Sequence, residues 1–147
     1  MDRQTRHRER ELAGQFVLLA EDERLILMEL EAVVEEAGAI VVGTCTDVSA
    51  ALAAIIRADR IDAALLDIRL GHESIAPVAQ ALHERGVPFL FYTGQTAIDP
   101  LCLKWPDSRI IQKPAPGWAI VSAIAQVIDG KAADGSARQN HSIGHRL

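Results

Sequence analysis

Glu21 with Asp22, then Asp67, Thr93 and Lys113 with Pro114 are the residues whose types could do chemistry together. Each follows directly on a short apolar run. Gathered in one place, three carboxylates repel, and two unit charges about 4 Å apart cost roughly 4 kcal/mol at an effective dielectric of about 20. Something cationic must offset that cost. The Lys113 ammonium is one source. A hard divalent cation is the other, and Mg2+ is held by one or two carboxylates together with waters and a phosphoryl oxygen. A carboxylate in such a setting can act as a nucleophile and form an aspartyl phosphate. Phosphoryl transfer asks a protein chiefly for positioning and for neutral surroundings at the transferring oxygens. A lysine and a threonine hydroxyl can supply both.

Whether these residues meet depends on the elements that carry them. Apolar runs at 16–20, 40–44, 63–66, 87–92 and 109–112 are rich in Val, Ile, Leu and Phe, as strands buried on both faces are. Helical patterns alternate with them. The first covers 23–37, with Leu25, Met28, Leu30, Val33 and Val34 forming its apolar face and Gly38 as its stop. The second starts at Thr46 or Asp47, both good N-caps, and carries Val48, Leu52, Ile55 and Ile56. The third covers 74–85, with Ser74 as N-cap, Pro77 in the first turn and Gly86 at the end. Residues 94–107 hold Gly94, Pro100 and Pro106 and show no clean helical period, so the fourth helix should be short or irregular. The fifth covers 117–128, with Ile120, Val121, Ile124 and Val127 inward.

The pattern is α/β, a (βα)5 doubly wound parallel five-stranded sheet in the flavodoxin-like order 2-1-3-4-5. Ligands of such sheets bind outside the carboxyl ends of the strands. That is where Glu21, Asp22, Asp67, Thr93 and Lys113 fall.

Composition sets the limits. The chain has 147 residues, 49% hydrophobic but only 4% aromatic, so packing must rest on aliphatic side chains. The size suits one domain at residues 15–130, with polar tails at 1–14 and 131–147, and leaves no room for a DNA-binding output domain. A net charge of -5 argues against nucleic acid as a partner. The arginines at positions 3, 6, 8 and 10 are interleaved with acids and read as a solvated tail. Cys45 and Cys102 lack metal or disulfide spacing and read as small hydrophobes. No apolar run reaches membrane-spanning length and no signal peptide is evident, which places the chain in the cytoplasm. His72, His83, His141 and His145 read as surface residues. Trp105 and Trp118 flank the face of the fourth helix, fifth strand and fifth helix and read as core or as a partner surface.

The stretches VLLAEDE (17–23), ALLDIRL (64–70), FLFYTG (89–94) and IIQKP (110–114) together resemble the response-regulator receiver domain, over about residues 15–130. The resemblance implies Glu21 and Asp22 as a Mg2+-binding acidic pair, Asp67 as phosphoacceptor, and the Arg69 backbone carbonyl as a further metal ligand. It implies Thr93 as the switch hydroxyl, Lys113 as the site lysine, and a cis Lys113–Pro114 bond. It implies a sensor histidine kinase or histidine phosphotransfer protein as the donor and a downstream protein partner. The helix 4–strand 5–helix 5 face, flanked by Trp105 and Trp118, is the candidate surface for a homodimer.

Three departures stand beside it. The loop after Asp67 reads RLGHESIAPVAQAL instead of the family's Met-Pro and Gly pattern. Ile110 takes the place of the aromatic that rotates on phosphorylation. The fourth helix is weak. FYTGQ (91–95) is similar to the Phe-Ala-Thr-Gly sequence of a subgroup of alphaproteobacterial single-domain receivers. Arg69, two residues past the acceptor, is placed to shield a phosphoryl group from water. The competing readings are a degenerate receiver serving only as a binding module and a small aspartyl-phosphate hydrolase. The absence of a D-x-D after the first strand and of a Gly-rich first turn disfavours a dehalogenase-like enzyme and a dinucleotide binder.

Overall fold

The computed structural model describes residues 11–94, 100–106 and 108–144. Strands β1 (Phe16–Ala20), β2 (Ile40–Cys45), β3 (Ala63–Leu66), β6 (Phe89–Thr93) and β7 (Arg109–Gln112) form a parallel sheet in the order β2-β1-β3-β6-β7. This is the expected 2-1-3-4-5 order once an inserted hairpin is set aside. That hairpin, β4 (Arg69–Leu70) against β5 (Glu73–Ser74), is antiparallel and lies directly after Asp67. The helices are α1 (Arg24–Glu36), α2 (Val48–Arg57), α3 (Ala76–Arg85), α4 (Pro100–Lys104) and α5 (Gly117–Gly144).

Successive strand residues point to opposite faces, so each central strand serves two cores. Val17, Leu19, Leu65 and Leu90 pack under α1 and α5 with Leu27, Leu30, Val34, Ile120 and Ile124. Leu18, Leu66 and Phe91 pack under the other three helices with Ala51, Val78, Leu82 and Trp105. Edge-to-face contacts of Phe89 with Phe91 and Trp105, at centroid distances of 5.7 and 5.8 Å, give this second layer its aromatic centre.

Several expectations need correction. Leu25 and Met28 of α1 are exposed, and Leu27, Leu30 and Val34 face the sheet. Ile56 is exposed while Ala51, Ala54 and Ile55 are buried. The α3 cap falls at Ile75, one residue later than expected, and Ser74 Oγ accepts from Ala76 N instead. Gly86 does close that helix, in a left-handed conformation. Asp47 caps α2 by accepting from Ala50 N at 2.7 Å, as its type suggested.

Leu12, inside the stretch read as a polar tail, is fully buried among Leu27, Leu30 and Val34, and its N–H donates to Ala37 O. The backbone of α5 continues helical to Gly144, well past residue 128. Helix α4 is short, as expected. Arg3, Arg6, Arg8, Arg10, His145, and residues 95–99 and 107 of the fourth connection lie outside the described residues.

Cys45 and Cys102 are buried, and burial pushes the Cys45 thiol pKa up, away from thiolate chemistry. His72 and His83 are exposed. Among the described residues no helix is long and apolar enough to cross a membrane.

Candidate functional site

Parallel strands end at a common edge, and backbone hydrogen bonds fasten their ends to one another. Glu21 N donates to Cys45 O, Asp67 N to Ala20 O, and Lys113 N to Thr93 O, at 2.8–2.9 Å. The sheet thereby brings Glu21, Asp22, Asp67 and Lys113 into one cluster, although they are up to 92 positions apart in sequence (113 minus 21). Ligand atoms of Glu21, Asp22 and Asp67 all lie within 4.8 Å of one another. Lys113 Nζ lies 2.6 Å from Glu21 Oε2 and 2.9 Å from Asp67 Oδ2. The Asp67 contact is a hydrogen bond. The Glu21 contact is an ion pair outside hydrogen-bond geometry, and Oε2 is a buried oxygen without a hydrogen-bond partner.

Exposure grades across the cluster. Glu21 is 1% exposed, the Asp67 side chain 14%, and Asp22 lies open to solvent. Burial raises the Glu21 pKa to about 7; the Lys113 ammonium opposes this and the Asp67 charge adds to it. Burial works against the Lys113 charge, but Glu21 and Asp67 outweigh it and the lysine pKa is raised. The ammonium is therefore held protonated between two acids.

The donor set suits a hard divalent cation. It offers three carboxylates, no nitrogen or sulfur ligand, and one buried oxygen short of partners. Glu21, Asp22 and Asp67 would hold it. Arg69 contributes no side-chain contact to the cluster; its side chain is exposed on β4. Its carbonyl is nevertheless available. Ile75 N donates to Ile68 O, and antiparallel pairs alternate, so Arg69 opposite Ser74 is the pair without cross-strand bonds. Thr93 closes β6 and is 4% exposed. The Lys113–Pro114 bond is cis.

The hairpin is the part of the site that the residue pattern did not announce. Its loop is Gly71–His72, and Gly71 has φ +64. A two-residue hairpin loop with glycine first meets that conformational demand. Gly71 N donates to Asp22 Oδ2 at 3.0 Å, joining the hairpin to the acidic cluster. Beside the site, Tyr92 accepts from Ala115 N at 3.3 Å, and its ring lies 5.5 Å from Lys113 Nζ.

A parallel sheet in this order, with an acidic triad and a lysine at its carboxyl edge, defines a CheY-like α/β domain. The response regulator receiver domain model matches residues 17–125, and the chain belongs to that family. A receiver protein from Sinorhizobium medicae WSM419 is similar at 26% identity and TM-score 0.68, over 80% of this chain and 96% of that one. The response regulator PhyR from Brucella abortus is similar at 26% identity and TM-score 0.73, over 90% of this chain and 56% of PhyR. A CheY-like receiver domain protein from Methanospirillum hungatei, 21% identical with TM-score 0.73, shares the fold. No curated protein matches the sequence.

Proposed function

We propose that the chain accepts a phosphoryl group on Asp67 from a histidine kinase or phosphotransfer protein and uses the change to alter partner binding. The observation that carries this reading is the Lys113 ammonium set between Glu21 and Asp67 at 2.6 and 2.9 Å, with the Asp67 carboxyl still reachable from solvent. A structural ion pair needs no solvent-accessible acid beside a second, open carboxylate at Asp22.

In this mechanism an Asp67 oxygen attacks phosphorus. The bond from phosphorus to the donor nitrogen breaks, and its electron pair leaves with the imidazole. Lys113 then turns from Asp67 Oδ2 to a phosphoryl oxygen, and the Thr93 hydroxyl takes another. Mg2+, when bound, neutralises charge on the phosphoryl oxygens. Glu21, Asp22 and Asp67 would hold it, and the Lys113 ammonium already offsets part of the repulsion among these three acids. Arg69, exposed on the hairpin strand beside Asp67, shields the product from water.

A homodimer through α4, β7 and α5 is the companion proposal for partner binding. Ile110 is 45% exposed on β7 and Trp118 is 60% exposed at the start of α5. Sedimentation with and without phosphodonor tests it, and a monomer under both conditions would remove it.

The test of the main reading is intact mass after incubation with a small phosphodonor and Mg2+. One labile phosphate, absent in Asp67→Asn, is expected. Donor turnover without an adduct would point to hydrolysis. No adduct under any condition would leave only a binding module.

A further inference from the structure

We propose that the backbone N–H of Gly71 is a positioning group for Asp22: the hairpin after the acceptor holds one oxygen of this carboxylate so that the other faces the cation site. The inference rests on reading Glu21, Asp22 and Asp67 as that site.

Asp22 is the exposed member of the triad, and it sits on the turn between β1 and α1. An exposed aspartate samples several χ1 and χ2 states, and ordering it on cation binding costs entropy. Glu21 does not share this problem, because it is buried and set against Lys113, with Oε1 accepting from Glu23 N. Asp22 receives its hold from a residue 49 positions away, through the 3.0 Å bond from Gly71 N to Oδ2. Donation to a carboxylate is charge-assisted and directional. The oxygen left over, Oδ1, is then aimed by the sheet and the hairpin together.

The hairpin is built to offer this donor. Its inner end is closed by Ile75 N to Ile68 O, and Ser74 Oγ accepts from Ala76 N where α3 begins. In a two-residue loop the first loop residue's N–H is not used by the cross-strand pair, so it is free for another acceptor. The positive φ of Gly71 sets its direction. A Cβ added there would meet nothing within 4 Å, so crowding does not explain the glycine; the backbone conformation does. Groups that hold a metal ligand from outside typically contribute about 10–100-fold in metal affinity.

The test replaces the Gly71 amide by an ester, using glycolic acid at this position in the full chain, and measures Mg2+ affinity by titration calorimetry without phosphodonor. A loss of about 10-fold or more is expected. Gly71→Asn, which keeps the N–H and tolerates positive φ, should bind like wild type. Asp22→Asn should lose affinity as well. An ester variant that binds like wild type, with Asp22→Asn weakened, overturns the positioning role and leaves the cation site standing. Absence of Mg2+ binding in wild type overturns both. Should the ester variant fail to fold, amide exchange decides. Gly71 N–H exchange should be slow in wild type, fast in Asp22→Ala, and still slow in wild type saturated with Mg2+. Loss of protection on adding Mg2+ would show that the bond competes with the cation and would overturn the proposal.

Discussion

The two ends of the acidic cluster solve the same electrostatic problem by different physics. At the inner end, Glu21 is shut away from water and its charge is answered by Lys113 at 2.6 Å. At the outer end, Asp22 is bathed in solvent and its geometry is answered by one backbone donor, Gly71 N. The inner end therefore bears on folding stability and the outer end on ligand affinity. A phosphoryl acceptor between them, at Asp67, is held firmly yet can be reached.

That division can be tested at both ends. The largest effect is expected for Lys113→Ala, which leaves buried acid without its counter-charge. Urea unfolding at pH 8 should show a loss of about 3 kcal/mol or more. At pH 5 the loss should shrink, because Glu21 can then be protonated. Equal losses at the two pH values would break the distinction.

Next comes the pH dependence of the metal-free protein. The Glu21 pKa rises on folding from about 4.5 to about 7, so its protonated form favours the folded state. This contribution is complete below pH 4.5 and is lost as pH rises through 7. Glu21→Gln should flatten the stability profile across this window, and an unchanged slope would assign the titration elsewhere.

Asp22→Asn should weaken Mg2+ binding about 10-fold or more, while unfolding of the metal-free protein stays within about 0.5 kcal/mol of wild type. The smallest stability change belongs to Arg69→Ala, also within about 0.5 kcal/mol. There the expected change is a shorter phosphoryl lifetime, timed by phosphate release. An unaltered lifetime would remove the shielding role.

The three central strands were legible because a strand covered on both faces must be apolar at nearly every position, and Val17–Leu19, Ala63–Leu66 and Phe89–Tyr92 are; the edge strands β2 and β7 are only partly covered and showed as short apolar runs. The triad and lysine were legible because each closes such a run. The inward face of α1 was not. Its sequence RLILMELEAVV has apolar residues on more than one side, and periodicity alone could not choose Leu27 over Leu25 and Met28. Strands of two residues, Arg69–Leu70 and Glu73–Ser74, are too short for an alternation signal, so the hairpin and its bond to Asp22 were hidden. Leu12 was hidden for another reason: one leucine in a polar stretch carries no pattern, and only the fold reveals the space it fills.

Tyr92 gives the molecule a built-in gauge. It is the chain's single tyrosine, its phenol bridges to the backbone just beyond the cis proline, and its ring lies beside the ammonium of Lys113. Any shift of that lysine between partners must alter the ring's magnetic surroundings. One set of aromatic resonances, free of overlap from other tyrosines, can thus follow the site's state in real time without a label.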